Sequence, residues 1–164
     1  MKPFHLENWL RTRSTKVERV GAEIIFTHVN NETSLLLPRE EWRDGLLAVD
    51  IEPLASFYGD YFGASLGNSQ LTFATNIAGG VDVSHGFRLP DFEQMAARAR
   101  ELSINIGESE QAFLAEAGWM FIYTMNNENG CTVLRKYDRD FRTVRKIESL
   151  DEVLARWWDI VIGA

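Results

Sequence analysis

Trp119-Met-Phe-Ile-Tyr-Thr-Met125 is followed by Asn126-Asn-Glu-Asn-Gly130, Cys131-Thr-Val-Leu-Arg-Lys-Tyr137, Asp138-Arg-Asp140 and Thr143-Val-Arg-Lys-Ile147, and Ser149 then opens Leu150-Asp-Glu-Val-Leu154. The order reads strand, hairpin turn, strand, tight turn, strand, capped helix. Aromatic and β-branched residues bounded by an Asn-Gly turn are the hairpin signal. Ser149 with Glu152 three residues on has the form of a capping box, and Leu150, Val153, Leu154, Trp157, Trp158 and Val161 supply an apolar face behind it. Consecutive tryptophans on a helix cannot face the same way, so one of Trp157 and Trp158 is expected at a partly exposed surface. These elements predict an α+β domain whose sheet is mostly antiparallel.

The same reading extends upstream. Ala22 to Val29, Asn30-Asn31 and Ser34 to Leu37 predict a first hairpin, since Asn tolerates the left-handed angles of a turn. Phe4, Leu6, Trp9 and Leu10 suit a short amphipathic turn of helix, and Arg11 to Arg19 an exposed loop or a frayed extension of that helix. Pro38 to Asp44 is read as a short helix or turn. Leu54, Phe57, Tyr58, Tyr61 and Phe62 recur at helical spacing, which predicts a helix from Asp50 to Phe62 ended by Gly63. Gln70 to Thr75 alternates as a strand, and Asn76 to Leu89 is mostly loop. Pro90 opens a helix to Leu102, and Glu110 to Glu116 is read as a short helix. The chain of 164 residues reads as one domain, 1–164, with 1–36 as an N-terminal extension carrying the hairpin.

Charge narrows the function classes. The formal net charge is -7. Between Asn31 and Asp60 seven acids face two bases, whereas Leu134 to Lys146 holds six bases and two acids. An acidic total argues against general nucleic-acid binding, which needs a cationic footprint to release counterions. No apolar run approaches the ~20 residues that span a bilayer. Met1 to Leu10 lacks the apolar core of a signal peptide, and the single Cys131 has no internal disulfide partner. A reducing cytoplasm is the expected compartment.

The search for chemistry returns little. His5, His28 and His85 have no neighbours at zinc-ligand spacing, so no metal and no cofactor are expected. His28 reads as a rim or core residue. Ser84 and His85, in Asp82-Val-Ser-His-Gly86, are the one loop pair that could serve a small hydrolase or transferase. Cys131 reads as a small buried hydrophobe. Tyr58, Tyr61 and Trp158 could line an aromatic groove for a ligand. Glu40, Glu41, Asp44 and Asp60 form the acidic stretch, and they are the candidate partner-binding residues.

Leu54-Ala-Ser-Phe-Tyr-Gly-Asp-Tyr-Phe-Gly63, Gly118-Trp-Met-Phe-Ile-Tyr123, Gly130-Cys-Thr-Val-Leu-Arg-Lys-Tyr-Asp138 and Ile147-Glu-Ser-Leu-Asp-Glu-Val-Leu154 together resemble a divergent member of the SUKH superfamily. That superfamily holds bacterial immunity proteins and a yeast cell-wall-synthesis regulator. The resemblance spans about Leu37 to Ile162. It implies a twisted, mostly antiparallel sheet packed with helices. It also implies a protein-binding module without catalytic residues, which neutralises a toxin by occluding its active site. On this reading the acidic residues face a basic toxin domain, and the oligomeric state is left open.

Overall fold

The computed structural model describes residues 5–40, 43–116 and 118–162, with the side chains of His85, Val161 and Ile162 outside the description. The fold is α+β, a large antiparallel sheet with helices packed on it. The strands are β1 (Lys16–Val20), β2 (Glu23–Thr27), β3 (Thr33–Pro38), β4 (Tyr61–Leu66), β5 (Leu71–Phe73), β6 (Val81–Asp82), β7 (Arg88–Leu89), β8 (Gln111–Glu116), β9 (Phe121–Glu128), β10 (Cys131–Asp138) and β11 (Thr143–Ile147). The α-helices are α1 (Leu6–Arg11), α2 (Leu54–Asp60), α3 (Phe92–Glu101) and α4 (Leu150–Trp157), with a π-helical turn over Trp158–Ile162. Among the described residues, nine strands lie in the order β1-β2-β3-β4-β5-β8-β9-β10-β11, and β6 and β7 form a separate small hairpin.

Register gives the sheet two faces. Ile24, Leu36 and Ala64 lie opposite one another across β2, β3 and β4. Leu66, Leu71 and Glu116 continue the row through β5 into β8. The apolar members of this row belong to the main core, which also takes Leu150, Val153, Leu154 and Trp157 of α4 and Met95 and Ala99 of α3. The alternate residues Ile25, Leu35, Leu37 and Phe62 face the other way, where Val83 and Leu89 of the β6–β7 excursion cover them in a second core. A Cβ on Gly63 would come within 2.9 Å of Leu89, so the bare backbone of β4 lets the small hairpin settle on the sheet.

Helix ends follow local chemistry. Asp91 caps α3, accepting from the Gln94 N–H at 2.8 Å while Gln94 accepts from the Asp91 N–H at 2.9 Å. That reciprocal pair is a complete capping box. Asp91 also accepts from the Gly79 N–H at 2.8 Å and so anchors the preceding loop. At α4 only half of the box forms. Ser149 accepts from the Glu152 N–H, but the Glu152 carboxylate turns to the Glu148 N–H instead.

Several expectations are corrected. The stretch Arg11 to Arg19 is not all loop, because β1 occupies its second half as a fully exposed edge strand. The helix expected from Asp50 to Phe62 is only Leu54–Asp60, and Tyr61 turns to extended backbone (φ -138, ψ 152) to begin β4. Gly63 therefore sits inside a strand. Residues 110–116 hold β8 rather than a helix, and its buried residues on both faces hide the alternation a half-exposed strand would show. Pro38 closes β3, and residues 39, 40, 43 and 44 are not helical. Trp119 sits in the turn before β9 at φ 70. Cys131 is exposed, not buried, because it begins β10 beside the turn at Asn129 and Gly130. A thiol-reactive disulfide reagent is expected to modify Cys131 in the native protein as fast as in urea, and native-state protection would contradict that placement.

Candidate functional site

The predicted acidic residues that are described do not form one field. Glu40 follows β3 and is gripped by Arg19 of β1, with Nη1–Oε1 and Nη2–Oε2 at 2.7 and 2.6 Å. Donation from Arg19 holds the Glu40 carboxyl below its usual range. The Arg39 N–H donates to the Asp60 carbonyl at 2.8 Å, which brings the end of β3 beside the end of α2. The Asp60 side chain lines a different cleft, with Glu7, Arg11 and Tyr61. Asp44 is exposed. Glu41 lies outside the described residues.

Around Glu40 the chain forms an open groove of about 280 Å³. Leu37, Pro38, Phe62, Ile77 and Val81 make its apolar wall, Ala22 its lip, and Arg19, Glu40 and Arg43 its charged rim. Arg43 and Arg39 lie 5.3 and 5.9 Å from the Phe62 ring, within cation–π range. The β1–β2 hairpin that carries the lip turns through Gly21 at φ 59. A glycine at the first loop position suits a two-residue type II′ hairpin. Strand β1 ends the sheet, so its outer row of peptide groups has no strand beside it among the described residues. Val17 and Val20 on it are exposed. An apolar groove beside an open strand edge is equipped to bind an extended chain, with the edge supplying hydrogen bonds and the groove a seat for a side chain.

The other sequence candidates are placed differently. The Ser84 N–H donates to the Glu23 carboxylate at 3.0 Å, which ties the 3₁₀ turn Ser84–Gly86 to β2. The side chain of His85 lies outside the described residues. Tyr58 is buried, with its O–H on the Ala74 carbonyl at 2.6 Å. Tyr61 donates to Glu7 at 2.7 Å in the α1–α2 cleft. Trp158 instead packs edge-on to Trp9 and His28, with ring centres 5.7 and 5.6 Å away. The three aromatics thus do not share one groove.

His28 is fully buried. Its Nδ1 faces the Arg13 carbonyl at 3.4 Å and its Nε2 meets Ser34 Oγ at 2.6 Å. A carbonyl only accepts, so Nδ1 carries the proton and Nε2 accepts from the Ser34 hydroxyl. Ser34 Oγ in turn accepts from the Gly67 N–H at 3.0 Å. This Ser–His contact is sealed from substrate and serves packing.

Burial pushes the His28 imidazole below its ordinary range, against a weaker upward pull from the Arg13 carbonyl and the Glu32 charge. The unfolded chain therefore takes up a proton near pH 6.5 that the folded chain refuses until lower pH. The stability that neutral His28 contributes is complete above that pH and is lost as pH falls below it. Urea unfolding from pH 7.5 to 5 is expected to show wild type losing stability faster than His28→Asn, the slopes differing by up to about 1.4 kcal/mol per pH unit. Parallel slopes would contradict the assignment.

Two polar networks had no signal in the sequence. Glu116 of β8, only 6% exposed, accepts from the Tyr123 O–H at 2.6 Å and from Arg156 of α4. Glu110 accepts from Tyr137 and Thr124 at 2.7 Å and from the Gly107 N–H at 2.8 Å. Their members come from separate elements, and each carboxylate is occupied by donors, so both networks fasten elements together. Among the described residues, no group of three or more His, Cys, Asp or Glu is placed to hold a metal ion. No protein-family model, curated protein or solved structure matches the chain.

Proposed function

We propose that this chain is a non-enzymatic protein-binding module of the immunity type, which seats an extended segment of a basic partner along β1 with one apolar side chain in the neighbouring groove. The observation that carries the reading is the fully exposed edge strand beside an apolar groove. Net charge adds to it. At -7 the protein attracts a cationic partner over long range and speeds encounter, while the groove and strand edge set the fit. The Arg19–Glu40 pair cancels the one acid on the groove rim and leaves Arg43, so affinity there comes from apolar burial and backbone pairing and not from an acidic patch. Bound in this way, the module covers the partner's own substrate site, and the resemblance to immunity proteins agrees with that mode of action.

Co-expression with the product of an adjacent toxin-like gene tests the reading. Capture of that product and relief of its toxicity are expected. Ala22→Trp, which fills the groove from its exposed lip, is expected to abolish capture, while Val144→Asp at the far edge of the sheet leaves capture intact. A folded protein that neither captures nor protects would sink the immunity reading. Capture that Ala22→Trp does not weaken would move the site elsewhere.

A further inference from the structure

The six bases between Leu134 and Lys146 do not remain one patch after folding. Arg135 is taken up by Glu128 and Asn126 and lies 3.9 Å from Glu110. Lys136 sits 4.0 Å from the Phe121 ring, and Lys146 approaches Glu128 at 3.8 Å. Of the remaining three, Arg145 points elsewhere and lines a small pocket with Tyr123 and Arg156, while Arg139 and Arg142 line a separate open cleft of about 510 Å³ between the end of α3 and the β10–β11 turn. Arg100 and Ser103 form one wall, and Tyr137, Arg139 and Arg142 the other. Arg139 faces Asp140 at 3.7 Å. Arg142 makes no ion pair among the described residues, and Arg100 has only a long contact of 3.5 Å to the Ile106 carbonyl. The carboxylate in the cleft, Asp138, is turned into the loop, where it accepts from the Phe141 N–H at 3.1 Å.

Two details mark the walls. Ser103 follows the end of α3 at φ 66, and Arg142 holds φ 52. Both are left-handed positions that glycine occupies without strain and other residues at a cost of about 1 kcal/mol or more. Ser103 closes α3 in a Schellman pattern, with Ile104 N–H on the Ala99 carbonyl and Ser103 N–H on the Arg100 carbonyl, both at 3.0 Å. Both turns therefore keep a polar side chain on the cleft where glycine would be easier. At the turn, Phe141 is 80% exposed.

From this juxtaposition we infer that the Arg100–Arg142 cleft binds an oxyanion, a phosphate or a carboxylate, carried on an aromatic or other apolar body. Guanidinium forks from two elements match the paired oxygens of either group. The Ser103 hydroxyl adds a donor, and Phe141, in the β10–β11 turn but not on the cleft's lining, exposes its ring beside it for the ligand's body. The site is distinct from the groove at β1 and does not depend on the immunity reading.

NMR titration of the intact protein with phenyl phosphate, inorganic phosphate and benzoate tests it. Saturable shifts of resonances at Arg100, Ser103 and Arg142 are expected, with phenyl phosphate or benzoate binding more tightly than inorganic phosphate. Arg142→Gly suits the backbone angle while removing the guanidinium, so the fold is kept and binding is expected to weaken roughly tenfold. Arg100→Gln is expected to do the same, Phe141→Ala to erase the preference for the aromatic body, and Lys16→Ala to change nothing. No saturation by any probe up to about 10 mM, or wild-type binding by Arg142→Gly and Arg100→Gln, would overturn the inference. Comparing phenyl phosphate with benzoate separates a phosphate ligand from a carboxylate.

Discussion

Trp157→Ala is expected to lower the free energy of unfolding by about 3–5 kcal/mol, the range for removing a large aromatic from a packed interior. In a chain of this length that corresponds to a fall in Tm of roughly 6–20 °C. The size follows from where the indole lies. Trp157 is 1% exposed and sits with its ring centre 6.2 Å from both Trp9 and His28. It joins α4 to α1 and to the β2–β3 hairpin, so its loss loosens three elements together. Gly67 lies directly beneath it at φ 59, and a Cβ there would overlap the indole. Gly67→Ala is therefore expected to be destabilising too, through overpacking plus a left-handed backbone, by about 2–4 kcal/mol. Calorimetry checks both. A Trp157→Ala protein melting within a few degrees of wild type would refute the central position assigned to the cluster.

Arg156→Met should rank next, at about 2–4 kcal/mol, because it strands the Glu116 carboxylate in the interior with the Tyr123 hydroxyl alone. The Arg156 side chain is 32% exposed, and solvent reaching it keeps the cost toward the lower figure. The informative comparison is the double variant Arg156→Met/Glu116→Gln. An amide needs no counter-charge, so most of the loss should return. Tyr123→Phe removes one donor from Glu116 and is expected to cost about 1–2 kcal/mol by itself. Urea midpoints of wild type, Arg156→Met, Glu116→Gln and the double variant close the cycle. If the double variant were as weak as the sum of its parts, Arg156 would act through packing of its stem and not through charge.

Sequence reading succeeded where one face of an element is dry and the other wet. Helix α3 with its stripe Phe92, Met95 and Ala99 and helix α4 behind Ser149 have that character, whereas β9 is buried over five consecutive residues and its hairpin with β10 was legible from the Asn-Gly turn instead. It failed where burial is uniform. Strand β1 is exposed at every residue, and β8 is almost wholly buried, so neither alternates. The run Ala-Phe-Leu-Ala-Glu in β8 is also rich in helix formers, and its pairing partners override that propensity. Strand β4 hid for another reason. Tyr61 and Phe62 keep helical spacing with Phe57 and Tyr58, yet they face opposite sides of a strand, one toward α1 and one under Val81 and Leu89. The groove at Ala22 was illegible because β1, β3, β4 and the segment from Ile77 to Val81 each contribute one or two residues to it. Of the acidic residues singled out that lie among the described residues, only Glu40 borders the groove, and its charge is already answered by Arg19.

The order of the sheet also bears on how the chain reaches its fold. Apart from one step, each strand in the nine-stranded sheet pairs with its neighbour in sequence. Turns at Gly21, Asn30-Asn31 and Gly130 can therefore close hairpins early, since short loops lose little chain entropy. The exception is β5 with β8, where Leu71–Phe73 meets Leu114–Glu116 across the excursion that holds β6, β7 and α3. This short seam joins two meanders that can otherwise zip independently. Closure of the seam, rather than any hairpin, is where the folding barrier is expected to lie, so substitutions at Phe73 and Leu114 should slow refolding more than those at Ile25 or Val133.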